Sequence, residues 1–416
     1  MIGLFIVLVI IFRGATWRTI MIPLVVAFLF RFFVTIYYRF VGDVPGVGSA
    51  DAIKFEGRAW VWAQSGCGNL GEHLNLGASY VHSWILANIY ACTGREPLVF
   101  QMINVGLGVL TVYLIARIAE ELWDRQAALR AAWFAALFPI FITTSAVPLR
   151  EVWFTAPFLF SILLMVRWVR TRRMAYLAAA VFMNIMAAVI HGIAVFALLA
   201  VGLVLTGWGL RELARGMTSG RVKAGVLVAS LTLVGLLVLG ITQLGELRFS
   251  SIGQVGVLHE RIDSLDERAY RARGGSAFPS YLVPSNEIEM AVLTPVRMVY
   301  VLFGPPPWEI RSVFQIIGAL DGLIYFAMVF LLVRYREVWW SRREFRLLLV
   351  VFLALAVVLA WGVNNFGAGT RHRAKFVGIL IAMAAGFIGR RRWRKERLLN
   401  IKQTKFLNPG RKVNEE

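Results

Sequence analysis

A succession of long apolar runs constrains the fold of this chain more than any other feature. Runs of roughly 16–22 residues with few or no charges recur along its 416 residues, and most charged residues stand between them. A helix needs about 20 apolar residues to cross the hydrocarbon core of a bilayer, and it satisfies its own backbone hydrogen bonds there. Hydrophobic residues make up 58% of the chain, which exceeds the roughly 45–50% of soluble domains. We therefore predict an all-α, polytopic transmembrane helical bundle.

The boundaries of the apolar runs predict about 10–11 spans. The predicted spans are 1–12, 19–38, 98–119, 129–148, 152–166, 174–190, 192–209, 224–243, 312–333, 347–363 and 376–388. The first would give only about 18 Å of helix, so we expect a tilted or partial crossing there. No soluble domain interrupts the series. We predict a single integral membrane domain over 1–388, followed by a basic cytoplasmic tail over 389–416.

The charges are distributed unevenly between the two faces of this predicted bundle. With successive loops assigned to alternate faces, one face carries 28 Lys and Arg against 9 Asp and Glu, and the other carries 15 against 14. The positive-inside rule makes the first face cytoplasmic. The tail alone holds ten of its basic residues, and we interpret the tail as a topology anchor that touches anionic lipid. We expect no nucleic-acid partner.

Two long segments, 39–97 and 244–311, fall on the outer face. The first contains "GASYVHSWILANIYACTG", which is apolar but would reverse the charge pattern if it spanned, so we predict a re-entrant or surface-lying helix. It also holds Cys67 and Cys92, for which an oxidising outer compartment permits a disulfide without requiring one.

The second outer segment combines an amphipathic stretch with a proline-rich one. "LHERIDSLDERAYRARGG" predicts an amphipathic helix that two glycines end. In "TPVRMVYVLFGPPPWEIR" the three consecutive prolines prevent an ordinary helix. We predict that this part dips into the outer leaflet and leaves it at Trp308.

Asp51 is the first candidate for chemistry. It stands in "GVGSADAIKFEGRAW", after a turn rich in small residues and at the start of a short amphipathic helix. Either Ser49 or Asp51 could cap that helix, which is a purely structural role. Alternatively, a carboxylate held at a bilayer surface can gain basicity and take a proton from a hydroxyl group. Glu56, five residues on, need not share its face.

A second candidate is the basic cluster in "TRHRAK", which precedes the last predicted span. Arg371, His372, Arg373 and Lys375 lie on the outer face, where the positive-inside bias disfavours basic residues. Arginine can hold two phosphate oxygens, lysine adds a point charge and histidine can hydrogen-bond. Such groups suit either contact with anionic lipid headgroups or a phosphate leaving group whose negative charge grows during a reaction.

Few other polar groups are placed for function. The short outer loops present Arg150, Glu151 and His191. Within the spans, Asp321 is expected to pair with a basic group near the outer surface, and Arg31 is long enough to reach a bilayer surface. A proton-coupled transporter would be expected to carry more ionisable groups at the midplane.

Several of these segments, in this order, resemble the GT-C superfamily of polytopic glycosyltransferases. "SADAIKFEGRAW" is similar to the first outer-loop motif of the family-39-like members, and "TRHRAKFVGILIAMAA" to their late basic segment before the last span. "FPIFITTSAVPLREVWF" resembles a pair of spans with an Arg-Glu turn, and "YLVPSNEIEMAVLTPVRMVYVLFGPPPWEIR" resembles segments of bacterial exopolysaccharide and O-antigen assembly proteins.

The resemblance implies an inverting glycosyltransferase of the bacterial inner membrane with its site on the periplasmic face. Asp51 would match the catalytic aspartate, which acts as a general base, and Arg371, His372 and Arg373 would match the basic segment at the lipid phosphate. With Lys375 and Arg150 they would hold the phosphate of a polyprenyl-linked sugar donor. Apart from the resemblance, Glu151, Glu56, His191 and Arg297 are our candidates for a supporting role. No Asp-Asp or Glu-Asp pair accompanies these motifs, so a divalent metal cofactor lacks support.

Two alternatives stay open at this point. A polymerase that joins lipid-diphosphate-linked oligosaccharide repeat units would use the same chemistry with a larger donor. A non-enzymatic transporter of lipid-linked glycans would form no glycosidic bond. The sequence does not give the sugar, the linkage or the acceptor, and it leaves the choice between these activities to experiment.

Overall fold

A computed structural model describes residues 17–42, 49–74, 80–219, 235 and 276–388. Regular structure in these residues is helical, apart from one isolated antiparallel bridge between Ala277 and Asn365. The α-helices are α1 Trp17–Phe40, α2 Ser49–Ala63, α3 Val81–Thr93, α4 Pro97–Leu122, α5 Arg125–Leu137, α6 Pro139–Ala146, α7 Glu151–Thr171, α8 Met174–Ile190, α9 Ile193–Ser219, α10 Glu287–Phe303, α11 Val313–Arg334, α12 Arg336–Trp339, α13 Arg343–Gly362, α14 Phe366–Arg373 and α15 Val377–Ala384. The prediction of an all-α bundle is confirmed.

Six of these helices are long and apolar enough to cross a membrane: α1, α4, α7, α9, α11 and α13. The pair α5 and α6 passes the same test as one span bent by 56°, and α8 is a shorter apolar helix. All eight coincide with predicted spans. The predicted span 1–12, most of 224–243, the amphipathic helix of "LHERIDSLDERAYRARGG" and the basic tail lie outside the described residues.

The prediction of a last span over 376–388 is wrong in length. The helix there, α15, has eight residues, all of them buried. Gly378 allows close approach, because a Cβ atom on it would lie 3.0 Å from Ile115 and from Leu159. Neighbouring helices, among them α4, α5 and α11, cover every side of α15. The apolar run therefore marks the centre of the bundle rather than a lipid-facing crossing.

The candidate spans from α1 to α9, with α5 and α6 taken as one bent span, run in alternate directions between two ends of the bundle. We call the end that holds Phe40 and Glu151 the upper end, and the opposite end, which holds Leu122 and Thr171, the lower end. At the lower end, Arg167 on α7 pairs with Glu121 on α4 across 2.9 Å. The predicted alternation of loops between two faces is thus present in the described part of the chain.

The bend between α5 and α6 explains a buried arginine. Pro139 begins α6 and lacks the N–H that would bond to the carbonyl of Ala135, so the end of α5 has unsatisfied carbonyl groups. Arg31 on α1 donates to the carbonyls of Ala136 at 3.2 Å and Ala135 at 3.4 Å, and its side chain is fully buried. The expectation that Arg31 reaches a bilayer surface is wrong, because these carbonyls hold it inside the bundle.

Helix α10 enters the bundle from the upper end and does not cross it. It ends at Phe303, whose carbonyl oxygen would lie 2.1 Å from a Cβ atom placed on Gly322, well inside α11. The chain then turns through Gly304 and three prolines and returns to the start of α11, with Trp308 76% exposed. The chain thus enters the bundle and turns back at the prolines, whereas its predicted dip into the outer leaflet of a membrane stays a prediction. The expectation that its apolar part is not an ordinary helix is wrong, since α10 is helical up to the prolines.

Helices α2 and α3 pack together at the upper end and are covalently joined. Cys67, after α2, and Cys92, in α3, form a disulfide. Ser83 donates to the backbone carbonyl of Phe55 at 3.0 Å, and Tyr90 donates to Glu56 at 3.1 Å. Helix α3 has 13 residues and is not among the candidate spans, as the charge pattern predicted.

Candidate functional site

Three segments that are distant in the sequence meet at the upper end. Asp51 lies in the first turn of α2, Glu151 begins α7 and Arg371 lies in the last turn of α14. The guanidinium of Arg371 donates to the carboxylate of Asp51, across 320 positions of the chain, and its Nε lies 3.3 Å from Glu151 Oε1. The structure thus brings the predicted acid and the predicted basic cluster into direct contact.

Glu151 is the centre of the charged cluster that these residues form with Lys375. Its side chain is 4% exposed, whereas that of Asp51 is 43% exposed. Besides Arg371, Glu151 Oε1 has Lys375 Nζ at 3.9 Å, and no hydrogen-bond partner of its Oε2 is found among the described residues. A buried carboxylate is costly without cationic neighbours, and Arg371 and Lys375 are those neighbours of Glu151. Asp51, by contrast, lies at the accessible edge of the site.

Lys375 and two histidines form the inner wall. The ammonium of Lys375 is buried and contacts Nδ1 of His372, whose ring lies 5.6 Å from the ring of His191. Burial lowers the pKa of Lys375 well below its ordinary value, and Glu151 opposes this only in part. Burial and the charge of Lys375 also lower the pKa of both histidines well below 6.5. At neutral pH the two imidazoles are therefore uncharged.

Arg150 is the third cation of the group. It precedes Glu151, and its guanidinium lies 5.4 Å from the centre of the Phe55 ring on α2. Burial lowers the pKa of Arg150, and neighbouring Glu151 works against that change. Burial also acts to lower the pKa of Arg371, but the negative charges of Glu151 and Asp51 outweigh it, so the pKa of Arg371 is raised overall. Two carboxylates thus face three basic side chains in a partly enclosed space.

Arg373 does not face this cluster, although only one residue separates it from Arg371. Its Nε donates to Asp321 at 2.8 Å, and the guanidinium also donates to the carbonyls of Leu302 at 3.0 Å and Gly304 at 2.8 Å. Those carbonyls belong to the end of α10, where prolines supply no N–H groups. The expected pairing of Asp321 with a basic group is confirmed, and Arg373 has a structural position rather than a place in the site.

Arg297 and Glu56 also lie apart from the cluster. Arg297 is fully buried and donates to the carbonyls of Ala360 at 2.7 Å and Val363 at 2.9 Å, near the end of α13. Glu56 binds Arg95 through two hydrogen bonds of 2.9 and 2.8 Å. Neither side chain contacts Asp51 or the basic cluster, and a supporting role of Arg297 would have to be indirect.

Sequence reasoning did not single out His82, which lies beside the cluster. Its ring packs 4.9 Å from that of Phe100, 5.8 Å from that of Phe55 and 6.1 Å from that of Trp153, and it is 1% exposed. Burial lowers its pKa to about 3, so the ring is neutral. The only signal in the sequence was a histidine within an otherwise apolar helix, and a packed core histidine gives the same signal.

A large cleft lies beside α2 and is lined by its residues Ala52, Ile53 and Glu56. It has a volume of about 750 Å³, and its lining includes Tyr38, Arg39, Ala52, Glu56, Arg95 and Gln101. Ala52 is the chain neighbour of Asp51, so the cleft begins next to the accessible acid. Gln101 is buried and donates to Ala146, while no hydrogen-bond partner of its Oε1 is found in the described part of the chain. The lining therefore offers both donors and acceptors.

Comparisons with known proteins add no assignment. No protein-family model matches the chain, and no curated protein matches it at a significant level. Among the described residues, no three His, Cys, Asp or Glu side chains are arranged to hold a metal ion. The functional argument therefore depends on the geometry of the upper end.

Proposed function

We propose that this multi-pass protein is an inverting glycosyltransferase of the GT-C type that uses a polyprenyl-phosphate- or diphosphate-linked sugar as donor. The observation that carries the proposal is the contact of Asp51 with Arg371, backed by buried Lys375 and by Glu151. One accessible carboxylate and several cations in one enclosed space match a reaction that removes a proton and releases a phosphate. We place this site on the periplasmic side of a bacterial inner membrane, since the positive-inside rule makes the other face cytoplasmic.

In the proposed reaction Asp51 is the general base. It accepts the proton of an acceptor hydroxyl, whose oxygen attacks the anomeric carbon of the donor sugar. The bond between that carbon and the phosphate oxygen breaks, and its electron pair stays on the leaving phosphate. Inversion requires the attacking and leaving oxygens to lie on opposite sides of the anomeric carbon. The resting contact between Asp51 and Arg371 must therefore open so that the sugar lies between them.

The cations of the cluster would hold the departing phosphate. A phosphate offers Arg371 oxygen atoms in place of those of Asp51, with a bidentate geometry that suits a guanidinium. Arg150 and Lys375 add positive charge, and the uncharged His372 can hydrogen-bond. Because the pKa of Lys375 is lowered in the resting site, a bound phosphate would favour its protonated form. Glu151 would keep these cations in position without touching the sugar.

The cleft beside α2 is the proposed acceptor site. A glycan presents hydroxyl groups that both donate and accept hydrogen bonds, and the lining has matching partners of both kinds. Arg39 and Arg95 donate, whereas the carboxylate of Glu56 accepts. A bare phosphate would be repelled by the negative charge of Glu56. This cleft therefore suits the sugar of a glycan or lipid-linked acceptor better than the donor phosphate.

The test is transfer by purified protein in proteoliposomes that contain polyprenyl-phosphate- or diphosphate-linked sugars and lipid-linked glycan acceptors. We expect Asp51→Asn to fold normally and to lose turnover by about 10²–10⁴-fold, the usual contribution of a general base. Glu72→Gln is the matched control, because Glu72 is an exposed acid of the same segment, with a 74% exposed side chain. Undiminished transfer by Asp51→Asn would remove the assigned base.

The same assay separates the alternatives. Arg371→Ala should weaken donor binding. Arg371→Lys should weaken it less, because lysine keeps the positive charge but cannot form the bidentate hydrogen bonds of arginine. A single added sugar supports the transferase, whereas a ladder of products supports a polymerase of repeat units. Movement of a lipid-linked glycan across the bilayer without a new glycosidic bond would overturn the enzymatic proposal in favour of transport.

A further inference from the structure

An apolar slot lies in the lower half of the bundle, beneath the end of α10. It has a volume of about 370 Å³. Leu302 and Phe303 form its roof, Leu380 on α15 and Phe352 on α13 line it, and Arg336 lies at its lower margin. The slot exists because α10 enters from the upper end and stops at Phe303, so no helix of the described residues fills the space below it between α11 and α13.

The slot opens to the outer surface of the bundle. Three of its hydrophobic lining residues are substantially exposed: Val333 at 59%, Leu353 at 42% and Trp340 at 58%. All the other lining side chains except that of Arg336 are hydrophobic. Such walls offer water few hydrogen-bond partners, whereas a buried water needs two to four of them. In a bilayer, the acyl chain of a neighbouring lipid can enter an apolar slot of this kind.

The lower rim of the slot carries a positive charge and interfacial aromatic residues. Arg334, Arg336 and Arg343 are exposed there, and Glu337 is the exposed acid among them. Trp339 donates its indole N–H to the carbonyl of Leu332 and is thereby fixed against the slot. Tryptophan and arginine at the end of membrane helices are typical partners of lipid headgroups, and arginine favours anionic ones.

We propose that the slot binds an anionic phospholipid of the leaflet at the lower end. One acyl chain fills the space up to Phe303, and the phosphate lies against Arg336. The bound chain would support the end of α10 from below, at the point where Arg373 and Asp321 hold it from the side. This inference does not depend on the proposed glycosyl transfer, because the slot and the candidate site lie at opposite ends of the bundle.

The experiment compares lipid retention by the full chain reconstituted with phosphatidylglycerol or with phosphatidylcholine and then examined by native mass spectrometry. Leu353→Trp adds bulk inside the slot, and Arg336→Glu reverses the charge at its lower margin. The matched controls lie on α9: Leu203→Trp, at a 65% exposed leucine, and Arg211→Glu, at an exposed arginine of the same end. Thermal unfolding in detergent verifies that each variant is folded.

We expect wild type and both controls to retain one phosphatidylglycerol in preference to phosphatidylcholine. Arg336→Glu should lower that retention about 25-fold, about fivefold for the lost arginine near an anionic lipid surface and about fivefold for the added negative charge. Leu353→Trp should abolish it. The proposal is overturned if Leu353→Trp retains the lipid as wild type does. It is also overturned if Arg211→Glu loses as much as Arg336→Glu, or if phosphatidylcholine is retained equally well.

Discussion

Replacing Arg373 with methionine should destabilise the bundle far more than replacing an exposed arginine. Methionine keeps much of the apolar length of the side chain and removes the charge and the donors. Arg373 is completely buried, and its guanidinium makes contacts of 2.8 Å to Asp321, 3.0 Å to Leu302 O, and 2.8 Å each to Gly304 O and Gly318 O. Each of these acceptors loses its arginine donor in the variant.

The expected cost follows from these contacts. Removing one member of a buried ion pair typically costs about 3–5 kcal/mol, because the other charge is left without compensation. Each buried carbonyl left without a donor adds about 1–3 kcal/mol, although such contributions do not add fully. We therefore expect Arg373→Met to lower the free energy of unfolding by at least about 4 kcal/mol. Adding Asp321→Leu should recover part of the loss, since it removes the stranded charge but leaves the carbonyls.

Denaturant unfolding in detergent, followed by circular dichroism, measures these differences. Arg125→Met is the control, because the Arg125 side chain is 61% exposed and lies 3.9 Å from its acidic partner. Exposed pairs contribute about 0–1 kcal/mol, so this variant should unfold almost as wild type does. The reasoning is refuted if Arg373→Met and Arg125→Met have similar unfolding free energies, or if adding Asp321→Leu destabilises Arg373→Met further.

Three further outcomes are expected. Burial lowers the pKa of Lys375 well below 10.5. Because the protonated form attracts phosphate, donor binding should weaken as pH rises through that lowered pKa. Lys375→Arg should remove this loss of binding at higher pH, as measured in a profile of donor binding against pH. The disulfide of Cys67 and Cys92 closes 25 positions, so its removal should cost about 3 kcal/mol of stability, visible as faster proteolysis between the two cysteines. Gly322→Ala places a Cβ atom 2.1 Å from a carbonyl and should cost about 1–3 kcal/mol in unfolding assays. By contrast, Gly207→Ala has nothing within 4 Å and should stabilise its helix by about 0.5–1 kcal/mol.

The long helices were predictable because their length and polarity are local properties of the sequence. The predicted spans 19–38 and 98–119 correspond to Trp17–Phe40 and Pro97–Leu122, and 174–190 coincides with α8. The predicted span 129–148 missed the break before Pro139, although a proline within a helical run is itself a signal of a break. How the segments assemble, including the central position of α15, depends on contacts between distant residues.

The membership of the candidate site was only partly predictable. The charge pattern placed Asp51 and the basic cluster on one face, and the structure brings Asp51 and Arg371 into contact. Treating the whole cluster as one group overlooked the helical geometry of α14. Residues two apart differ by about 200° around a helix, so Arg371 and Arg373 cannot face the same space. Identifying α14 as a helix before assigning roles would have separated them.

The buried position of Arg31 has a consequence for how the protein is made. Its carbonyl partners, Ala135 and Ala136, are 104 and 105 positions further along the chain. During synthesis α1 therefore leaves the translocon before those acceptors exist, and an arginine at the centre of an inserting helix costs about 2.5–3.5 kcal/mol. The long apolar sequence on both sides of Arg31 must offset this cost until α5 arrives. Variants that shorten α1 should then fail at insertion, before packing of the finished bundle is at stake.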